Sequence, residues 1–272
     1  MTKKIVVIGG GISGMSIAWH LMDSGHKDVT VIDKGYFTNG ATGRCGAGIR
    51  QQWATGMNCL LARESMRFFE KAKETLRYDG DLELKQKGYL ILATTEEEVR
   101  QFEKNVALQN RLGIPSVLLS PEEAKAIVGH VNTDAFLKAS YCPTDGHLNP
   151  FKMTEAFYLA AKRLGSDIRF HETVTAITTE DGHVTGVVTD KGTYPADVVV
   201  NAAGGYAREV GLMAGVEIPV HSENHQILAT EPVEDVQGPM VMSFSKNIYC
   251  QQVPHGSFLI GRGDPDEPHS HR

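Results

Sequence analysis

Hydrophobic residues occur along this chain in short runs that predict an α/β fold. Residues 5–8 and 29–32 are uninterrupted apolar runs, which are typical of strands buried in a parallel sheet. The segment between them has apolar residues at helical spacing, at Ile17, Ala18, Leu21 and Met22. A strand, a helix and a second strand therefore form a predicted βαβ unit near the beginning of the chain.

The same periodicity predicts a long amphipathic helix over residues 56–77. Its apolar positions, which we expect to pack on the core, are Met57, Leu61, Phe68, Ala72 and Leu76. A shorter helix is predicted to follow the turn-rich segment 145–150 and to end at Gly165.

Two further helices are predicted from the residues that begin them. Thr95 is followed three residues later by Glu98, and Ser120 is followed at the same spacing by Glu123. Both pairs have the spacing of a capping box, in which each side chain bonds the backbone N–H of the other residue. Helices are therefore expected to start after Thr95 and after Ser120.

Short strands predominate in the second half of the chain. Turn dipeptides at 181–182 and 191–192 help to separate four predicted strands, which we expect to form an antiparallel meander beside the parallel sheet: 168–170, 174–178, 184–189 and 198–201. Four more strands are predicted nearer the end, at 225–230, 239–244, 248–253 and 258–261.

Composition and charge narrow the function classes. The chain has 272 residues, 41% of them hydrophobic, which is enough for one or two domains with a substantial core. Lys and Arg total 27 against 33 for Asp and Glu, so the net charge of -6 provides no broad basic surface and nucleic acid is not an expected partner. No apolar run is long enough to span a membrane, and the first strand starts at Ile5 without room for a signal peptide. A cytoplasmic location is therefore expected.

Cysteine and histidine spacing predicts no metal site. The cysteines, at positions 45, 59, 142 and 250, form no C-x-x-C pair. His269 and His271 have a spacing that could chelate a metal ion, but no third ligand is visible near them in the sequence. We therefore predict reduced cysteines and no bound metal.

The turn after the first strand carries a nucleotide-binding pattern. Gly9, Gly11 and Gly14 fill G-x-G-x-x-G, and Asp33 ends the second strand. The first glycine permits a sharp turn, the second lets the backbone approach a pyrophosphate, and the third lets the helix pack closely on the strand. An acid at this strand end favours FAD or NAD over NADP. The residues expected to contact the dinucleotide here are Gly9, Gly11, Ile12, Ser13, Gly14, Asp33 and Lys34.

Four separated segments resemble the D-amino-acid oxidase superfamily of FAD enzymes, in the branch of sarcosine oxidase β-subunits and glycine oxidases: 7–14 with Asp33, 41–50, 145–150 and 196–204. The resemblance implies an α/β fold with a Rossmann-like FAD-binding domain of the glutathione-reductase type, a parallel sheet plus a β-meander, and an interleaved α+β substrate domain. The implied FAD-binding domain is discontinuous, at 1–85 and 145–215. The implied substrate domain covers 86–144 and 216–265 and is incomplete at its C-terminus.

The second of these segments is a glycine-rich loop that a NAD-dependent dehydrogenase has no reason to carry. Its backbone N–H groups can line the phosphates and ring of FAD, with Thr42 and Arg44 as further donors. Some relatives hold FAD covalently through a histidine in this loop, but the position that aligns with it is Gly43, so noncovalent FAD is expected. By resemblance, the other cofactor contacts are Ala41, Cys45, Gly46, Ala47, Gly48, Val174, Ala203 and Gly204.

Two residues are candidates for contact with the substrate. Arg50 aligns with an arginine that pairs with the substrate carboxylate in sarcosine-oxidase-like relatives, a role that suits its planar fork. Tyr249 lies in a strand that often faces the substrate in relatives. The alternatives are a surface arginine and a tyrosine that packs in its sheet. The implied reaction is oxidation of the C–N bond of an amine or of an amino acid, primary or secondary, such as sarcosine, glycine or proline, by hydride transfer to flavin and hydrolysis of the imine.

The resemblance covers roughly the first two thirds of a typical relative, because the family's late glycine-rich loop and final helix have no counterpart after residue 264. We therefore expect weak FAD retention and low activity from this chain alone, and a hetero-oligomer with further redox subunits is a candidate assembly. Two other functions stay open: a noncatalytic nucleotide-binding subunit and, less compatible with the second loop, a NAD-dependent dehydrogenase. The sequence does not distinguish among amine substrates or electron acceptors.

Overall fold

The structure, a computed structural model, describes residues 3–264 and residue 266. Its strands are β1 Lys4–Ile8, β2 Asp28–Ile32, β3 Gly48–Ile49, β4 Tyr89–Ala93, β5 Val117–Leu119, β6 Lys138–Cys142, β7 Gly146–His147, β8 Asp167–Arg169, β9 Val174–Glu180, β10 His183–Thr189, β11 Thr193–Pro195, β12 Val198–Asn201, β13 Ile227–Ala229, β14 Met240–Ser243, β15 Ile248–Gln252 and β16 Phe258–Arg262. Its α-helices are α1 Ile12–Asp23, α2 Gly56–Thr75, α3 Glu96–Arg111, α4 Pro121–Ile127, α5 Pro150–Arg163 and α6 Ala207–Met213.

A four-stranded parallel sheet, in the order β12-β1-β2-β8, contains the predicted βαβ unit. Alternate residues of β1 enter different cores, because successive side chains of a strand point to opposite faces. Val7 packs with Met15 of α1 and with α5, whereas Val6 packs with Ile177 of the meander. Both faces of the sheet are therefore covered, which explains why β1 is apolar at every position after Lys4.

Two of the four strands predicted for the meander belong instead to the parallel sheet. β8 pairs in parallel with β2, and β12 pairs in parallel with β1. Only β9, β10 and β11 form the antiparallel meander. The run 198–200 is uninterrupted valine, a pattern typical of a buried parallel strand, and the nearby turn dipeptides masked this signal.

A seven-stranded sheet, in the order β13-β16-β15-β14-β4-β6-β5, takes its strands from two stretches of the chain, 89–142 and 227–262, and includes all four strands predicted after residue 225. Its pairs are antiparallel except for β14 with β4. Helices cover the two faces of β4: Leu90 packs with Ala124 of α4, and Ile91 packs with Val99 of α3. The division into domains at 85/86, 144/145 and 215/216 stays a prediction.

The two predicted capping boxes differ in the structure. At Ser120 the box is complete, since the Glu123 N–H donates to Ser120 Oγ over 3.2 Å and the Ser120 N–H donates to Glu123 Oε2 over 2.7 Å. At Thr95 only half of the box forms, through the bond from the Glu98 N–H to Thr95 Oγ1. The Glu98 carboxylate accepts from the N–H of Thr94 instead, and it also accepts from Ser245 Oγ, which draws it toward the turn between β14 and β15.

Helix α2 buries its predicted apolar residues only toward its C-terminal end, contrary to the expectation that all five pack on the core, although Cys59 in its first half is buried in a separate cluster with Ile114 and Cys142. Ala72 and Leu76, just at the helix end, are 0% and 1% exposed and join the core beneath α1. Phe68 packs against the same core. Met57 and Leu61 are 67% and 61% exposed, so helical spacing identified the helix correctly but not which part of its apolar face is covered.

Two features concern membranes and metals. No helix within residues 3–264 is both long enough and apolar enough to cross a membrane. The same described stretch contains no group of three His, Cys, Asp or Glu side chains placed to hold a metal ion. His269 and His271 lie outside the described residues. The cytoplasmic location stays a prediction.

Met15 and Met57 form a matched pair that tests where the core lies. Met15 is 0% exposed and Met57 is 67% exposed. Met15→Ala is expected to lower the free energy of unfolding by about 3 kcal/mol, because it removes a buried side chain and leaves a cavity. Met57→Ala is expected to change it by less than about 0.5 kcal/mol. Urea titrations of both variants measure the difference, and equal effects would contradict this assignment of the core.

Candidate functional site

The first glycine turn is built by backbone segments that approach too closely for side chains. Gly9 has a φ of +118°, and a Cβ at this position would collide with the carbonyl oxygen of Ala202. A Cβ on Gly14 would collide with the carbonyl oxygen of Gly9. Helix α1 begins at Ile12, and its N-cap residue, Gly11, has no side chain to bond the free N–H groups. The start of α1 therefore presents backbone donors and the positive end of the helix dipole, as an anion site requires.

The second glycine-rich loop lies directly against the first turn. The N–H of Ile12 donates to Thr42 Oγ1 over 3.1 Å. A Cβ on Gly11 would lie 3.0 Å from the same oxygen. The loop folds as a 3₁₀ turn over Ala41–Arg44, which directs Thr42 toward α1. The two loops that were predicted to share one extended cofactor are therefore adjacent.

The other polar side chains of the second loop bond within its own neighbourhood. Arg44 Nη1 donates to the carbonyl oxygen of Asn39 over 2.5 Å. Cys45 Sγ lies 3.2 Å from the carbonyl oxygen of Thr42. Gly46 has open space where a side chain would be, and Ala47 has a φ of +59°. In this structure Arg44 and Cys45 do not bond the first turn, and their roles as cofactor donors stay predictions.

Asp33 lies at the end of β2, as predicted, and its carboxylate joins two turns. Oδ2 accepts from the N–H of Gly10 over 2.5 Å, and Oδ1 accepts from the N–H of Gly35 over 2.7 Å. The N–H of Glu172 donates to the carbonyl oxygen of Asp33 over 3.0 Å. This bond brings Val174, at the start of β9, to the same edge of the parallel sheet as Asp33.

Three more of the predicted cofactor contacts follow the ends of neighbouring strands. The ammonium of Lys34 lies 3.1 Å from the centre of the Tyr206 ring, a cation–π geometry. Ala203 and Gly204 follow β12, and the N–H of Ala203 donates to Asn201 Oδ1 over 3.2 Å. The carboxyl ends of parallel strands are where ligands bind in open α/β sheets, so these positions suit a cofactor site.

Arg50 is partly buried, and its guanidinium lies among apolar side chains. Its Cζ atom is 4.3 Å from the Trp53 ring centre and 5.4 Å from that of Phe244. Nη1 lies 3.3 Å from the sulfur of Met242, and Nε is buried with no partner among the described residues. Within the described part of the chain, no carboxylate oxygen is within 4.0 Å of its nitrogens. Burial lowers the pKa of Arg50, and its remaining donors are available to an anionic ligand.

A buried carboxylate holds the segment that follows Arg50. Asp145 Oδ1 accepts from the N–H of Gln51 over 2.8 Å and from Gln51 Nε2 over 3.3 Å, and Oδ2 accepts from Gln52 Nε2 over 3.1 Å. Burial raises the pKa of Asp145 to about 6, although these donors act in the opposite direction. Sequence reasoning assigned no role to this group, because an Asp-Gly pair is typical of a turn and its partners lie 94 residues away in the chain.

Two tyrosines lie near Arg50 and the end of the second loop. Tyr249 of β15 is the register partner of Met242, so the two side chains share the sheet face that contacts Arg50. Tyr89 of β4, which sequence reasoning missed, has its hydroxyl against Gly48. Burial raises the pKa of both phenols. The ring of Tyr249 itself lies over Gly261 of the neighbouring strand β16, as in the alternative of a tyrosine that packs in its sheet, so its contact with substrate stays a prediction, and Tyr89 joins Arg50 in the candidate site.

A groove of about 390 Å³ opens beside Arg50, between β3 and α2. Its lining residues are Ile49, Arg50, Trp53, Asn58, Leu61, Ala62, Ser65, Met66 and Phe69. The walls are mainly apolar, and the exposed N-terminal half of α2 forms one side.

Comparison with known proteins gives a consistent result. A family model described as FAD-dependent oxidoreductase, of the DAO type, matches residues 4–272. The chain is 31% identical over 271 residues to mitochondrial dimethylglycine dehydrogenase of Homo sapiens, a match that covers 97% of this chain and 31% of that protein. It is 29% identical over 265 residues to sarcosine oxidase subunit beta of Arthrobacter sp, covering 95% of this chain and 65% of that protein.

A solved structure has the same architecture. L-proline dehydrogenase from P. horikoshii is 38% identical and superposes with a TM-score of 0.90, covering 97% of this chain and 70% of that chain. Identity of this size together with so close a superposition indicates that the two chains share one fold. The present chain spans about a third of the length of the dimethylglycine dehydrogenases that it matches.

The titration of Asp145 predicts how stability depends on pH. Its pKa is about 6 in the folded chain against an ordinary value of 3.8, so stability from the protonated carboxyl is full below pH 3.8 and is lost as the pH rises through 6. Compared with Asp145→Asn, which does not titrate, the free energy of unfolding of the unsubstituted chain is expected to fall by about 2 kcal/mol between pH 4 and pH 7. Urea titrations of both proteins across this range measure the difference. A difference that stays constant with pH would show that Asp145 is already ionised at pH 4.

Proposed function

Because the chain belongs to the DAO family of FAD-dependent oxidoreductases, we propose that it binds FAD noncovalently and oxidises the C–N bond of an amine or of an amino acid, primary or secondary, such as sarcosine, glycine or proline. Arg50 carries this proposal. Its guanidinium lies between two aromatic rings, without a carboxylate partner among the described residues, just after the glycine-rich loop that abuts α1. A planar guanidinium in such surroundings suits bidentate hydrogen bonding to a substrate carboxylate.

The names of the relatives support this substrate class. Dimethylglycine, sarcosine and L-proline are the compounds named in the three relatives compared above. Each is an α-amino acid whose nitrogen carries at least one further carbon substituent. A carboxylate and a substituted amine are therefore the two features that we expect a substrate of this chain to have.

The residues that we propose hold FAD lie so close together that added side chains would occupy the space proposed for the cofactor. Gly11 and Thr42 lie against each other at the start of α1, where backbone N–H groups suit the pyrophosphate. Asp33, at the end of β2, retains acceptor capacity for ribose hydroxyls. We assign the flavin ring to the 46–48 end of the second loop, because Arg50 follows it directly.

The chain's own residues would supply orientation. Arg50 would bind the substrate carboxylate beside the rings of Trp53 and Phe244, and partial burial of the guanidinium strengthens such an ion pair relative to one in bulk water. Tyr249, on the same sheet face, limits how the substrate lies. When bound, FAD supplies the acceptor for the hydride equivalent that leaves the carbon bearing the amine. The resulting C=N bond adds water and releases a carbonyl compound. The amine loses its proton to solvent before it binds, so no side chain is assigned as a base.

Noncovalent attachment is supported by Gly43, the position that aligns with a flavin-linked histidine in some relatives. A Cβ on Gly43 would collide with the carbonyl oxygen of Thr38 and would lie 3.1 Å from the ring of Phe151. No side chain fits there in the conformation that the loop adopts.

We also propose that the chain works with further redox subunits, which would accept electrons from the flavin. One relative is itself named as a subunit. Met57, Leu61 and Phe244 remain 67%, 61% and 52% exposed, which leaves apolar surface close to the site.

Gly11→Val tests the cofactor site. The backbone at Gly11 is extended, with φ -77° and ψ -176°, so valine fits the conformation, but its branched side chain would enter the space between α1 and Thr42. The Kd for FAD is expected to rise by about 100-fold, since a few charge-assisted bonds to phosphate are lost. Titration monitored by flavin fluorescence measures it. In the unsubstituted chain, acid precipitation is expected to leave the flavin in the supernatant.

Gly129→Val is the matched control for this experiment, because nothing lies within 4 Å of the added Cβ. Its Kd for FAD is expected to match that of the unsubstituted chain. Equal binding by the Gly11 and Gly129 variants would refute the proposed location of the pyrophosphate, and flavin that stays in the acid pellet would refute noncovalent attachment.

Arg50→Met tests the substrate site. The ligand is tetrahydro-2-furoate, a carboxylate shaped like proline but without its amine. In the FAD-loaded chain its Kd is expected to rise by about 100-fold, because the bidentate charge-assisted hydrogen bonds of Arg50 are lost. Isothermal titration calorimetry measures this Kd without turnover, so low activity of the chain does not affect the result. Arg67→Met, at an exposed position of α2, is the control and is expected to bind normally. Unchanged binding by Arg50→Met would exclude Arg50 as the carboxylate ligand.

A further inference from the structure

We propose that Asp145 is a positioning residue that holds Arg50 in place for its carboxylate ligand. The inference rests on the proposed role of Arg50 and concerns a residue that touches neither substrate nor cofactor in that proposal. It is carried by the hydrogen bonds on both sides of Arg50, which lead to two consecutive residues, Asp145 and Gly146.

The backbone before Arg50 is held by a very short ladder. Strands β3 and β7 pair only through Gly48 with His147 and Ile49 with Gly146. Gly146 must be glycine for this contact, because a Cβ there would collide with the carbonyl oxygen of Lys85. The ladder therefore ends one residue before Arg50, and two pairs alone restrain the backbone beyond Ile49 only weakly.

The backbone after Arg50 is held by the Asp145 carboxylate. The N–H of Gln51 donates to Asp145 Oδ1 over 2.8 Å, so the side-chain oxygen takes the place of the next ladder partner. The main chain of Arg50 thus lies between two fixed points, the Ile49 pair and the Gln51 bond. Since a side chain starts from its own Cα, fixing both neighbouring peptides restricts where the guanidinium can lie.

The same carboxylate connects the Arg50 segment to the seven-stranded sheet. Gln52 Nε2 donates both to Asp145 Oδ2, over 3.1 Å, and to the carbonyl oxygen of Tyr89, over 3.0 Å. Ser140 Oγ completes the network by donating to Gln52 Oε1 over 2.6 Å. Strands β4 and β6 are therefore joined to the residues after Arg50, and β4 is adjacent to β14, which carries the Met242 sulfur that contacts Arg50.

The negative charge of Asp145, like its hydrogen bonds, supports its proposed role toward Arg50. Asp145 is fully buried, and no Lys or Arg nitrogen of the described residues is within 4.0 Å of it. Its negative charge raises the pKa of Arg50 against the larger effect of burial. An ionised Asp145 thus favours a charged guanidinium without occupying the donors that the ligand needs.

Asp145→Asn is the direct test in the FAD-loaded chain. The amide keeps the shape of the carboxylate but turns one acceptor into a donor, which then faces either the donors of Gln51 or that of Gln52. The Kd of tetrahydro-2-furoate is expected to rise by about 10-fold, whereas the Kd of FAD is expected to change by less than about 3-fold. Glu172→Gln is the matched control: Glu172 is also a buried carboxylate held by neutral donors, from Thr189 and Tyr194, and none of these bonds involves the Arg50 segment.

A double variant shows whether the effect passes through Arg50. In an Arg50→Met background, Asp145→Asn is expected to change the Kd of tetrahydro-2-furoate by less than about 2-fold, because the group being positioned is gone. A 10-fold effect that persists in this background overturns the inference. If the Asp145 variant does not fold, Gln52→Met removes the three bonds that the Gln52 side chain makes, with Asp145, Tyr89 and Ser140, without altering a buried charge, and is expected to raise the Kd by about 3-fold.

The outcomes separate this inference from the proposed function. Weaker binding by Arg50→Met with normal binding by the Asp145 and Gln52 variants would leave the proposed function intact and refute the positioning role. Normal binding by Arg50→Met would refute both.

Discussion

The close approach of three backbone segments at the carboxyl edge of the parallel sheet is the constraint on which the site depends. The turn after β1, the first turn of α1 and the segment after β12 meet so tightly that a Cβ on Gly9 or Gly14 would collide with a neighbouring carbonyl oxygen. Helix α1 begins at this point with Gly11 as its N-cap residue, which has no side chain to bond the backbone N–H groups of the first turn. Thr42 of the second loop can then bond the N–H of Ile12, which unites the two loops into one surface.

The loop surface at α1 is connected to the seven-stranded sheet through Arg50 and its neighbours. The second loop ends in β3, whose two pairs with β7 lead to Arg50, and the Asp145 carboxylate holds the next two residues. From there Gln52 bonds the backbone of β4. The surface that we propose for the cofactor, on one sheet, and the surface that we propose faces the substrate, on another, are thus joined by a few bonds around one buried carboxylate.

Local patterns predicted the parts of this arrangement that are local in sequence. The βαβ unit, the glycine turn, the acid at the end of β2 and the loop containing Thr42 each occupy a continuous stretch with its own spacing, and the structure brings them together. The partners of Asp145 were not predictable in this way, because its bonds to Gln51 span 94 residues and depend on a packing that no periodicity encodes. The exposure of Met57 has the same origin: helical spacing gives a face, but tertiary contacts decide how far along the helix that face is covered.

The arrangement of buried charges around Arg50 explains why the site suits a ligand. Arg50 and Asp145 are opposite charges in one neighbourhood, yet Asp145 bonds neutral amides and Arg50 contacts two rings and a sulfur. Direct pairing would satisfy both groups and leave nothing for a substrate carboxylate to add. Kept apart, the guanidinium bears a desolvation penalty, visible in its lowered pKa, that an incoming anion relieves. The amides that satisfy Asp145 are therefore as much a part of the proposed binding site as the arginine itself, since without them the two charges would have reason to pair.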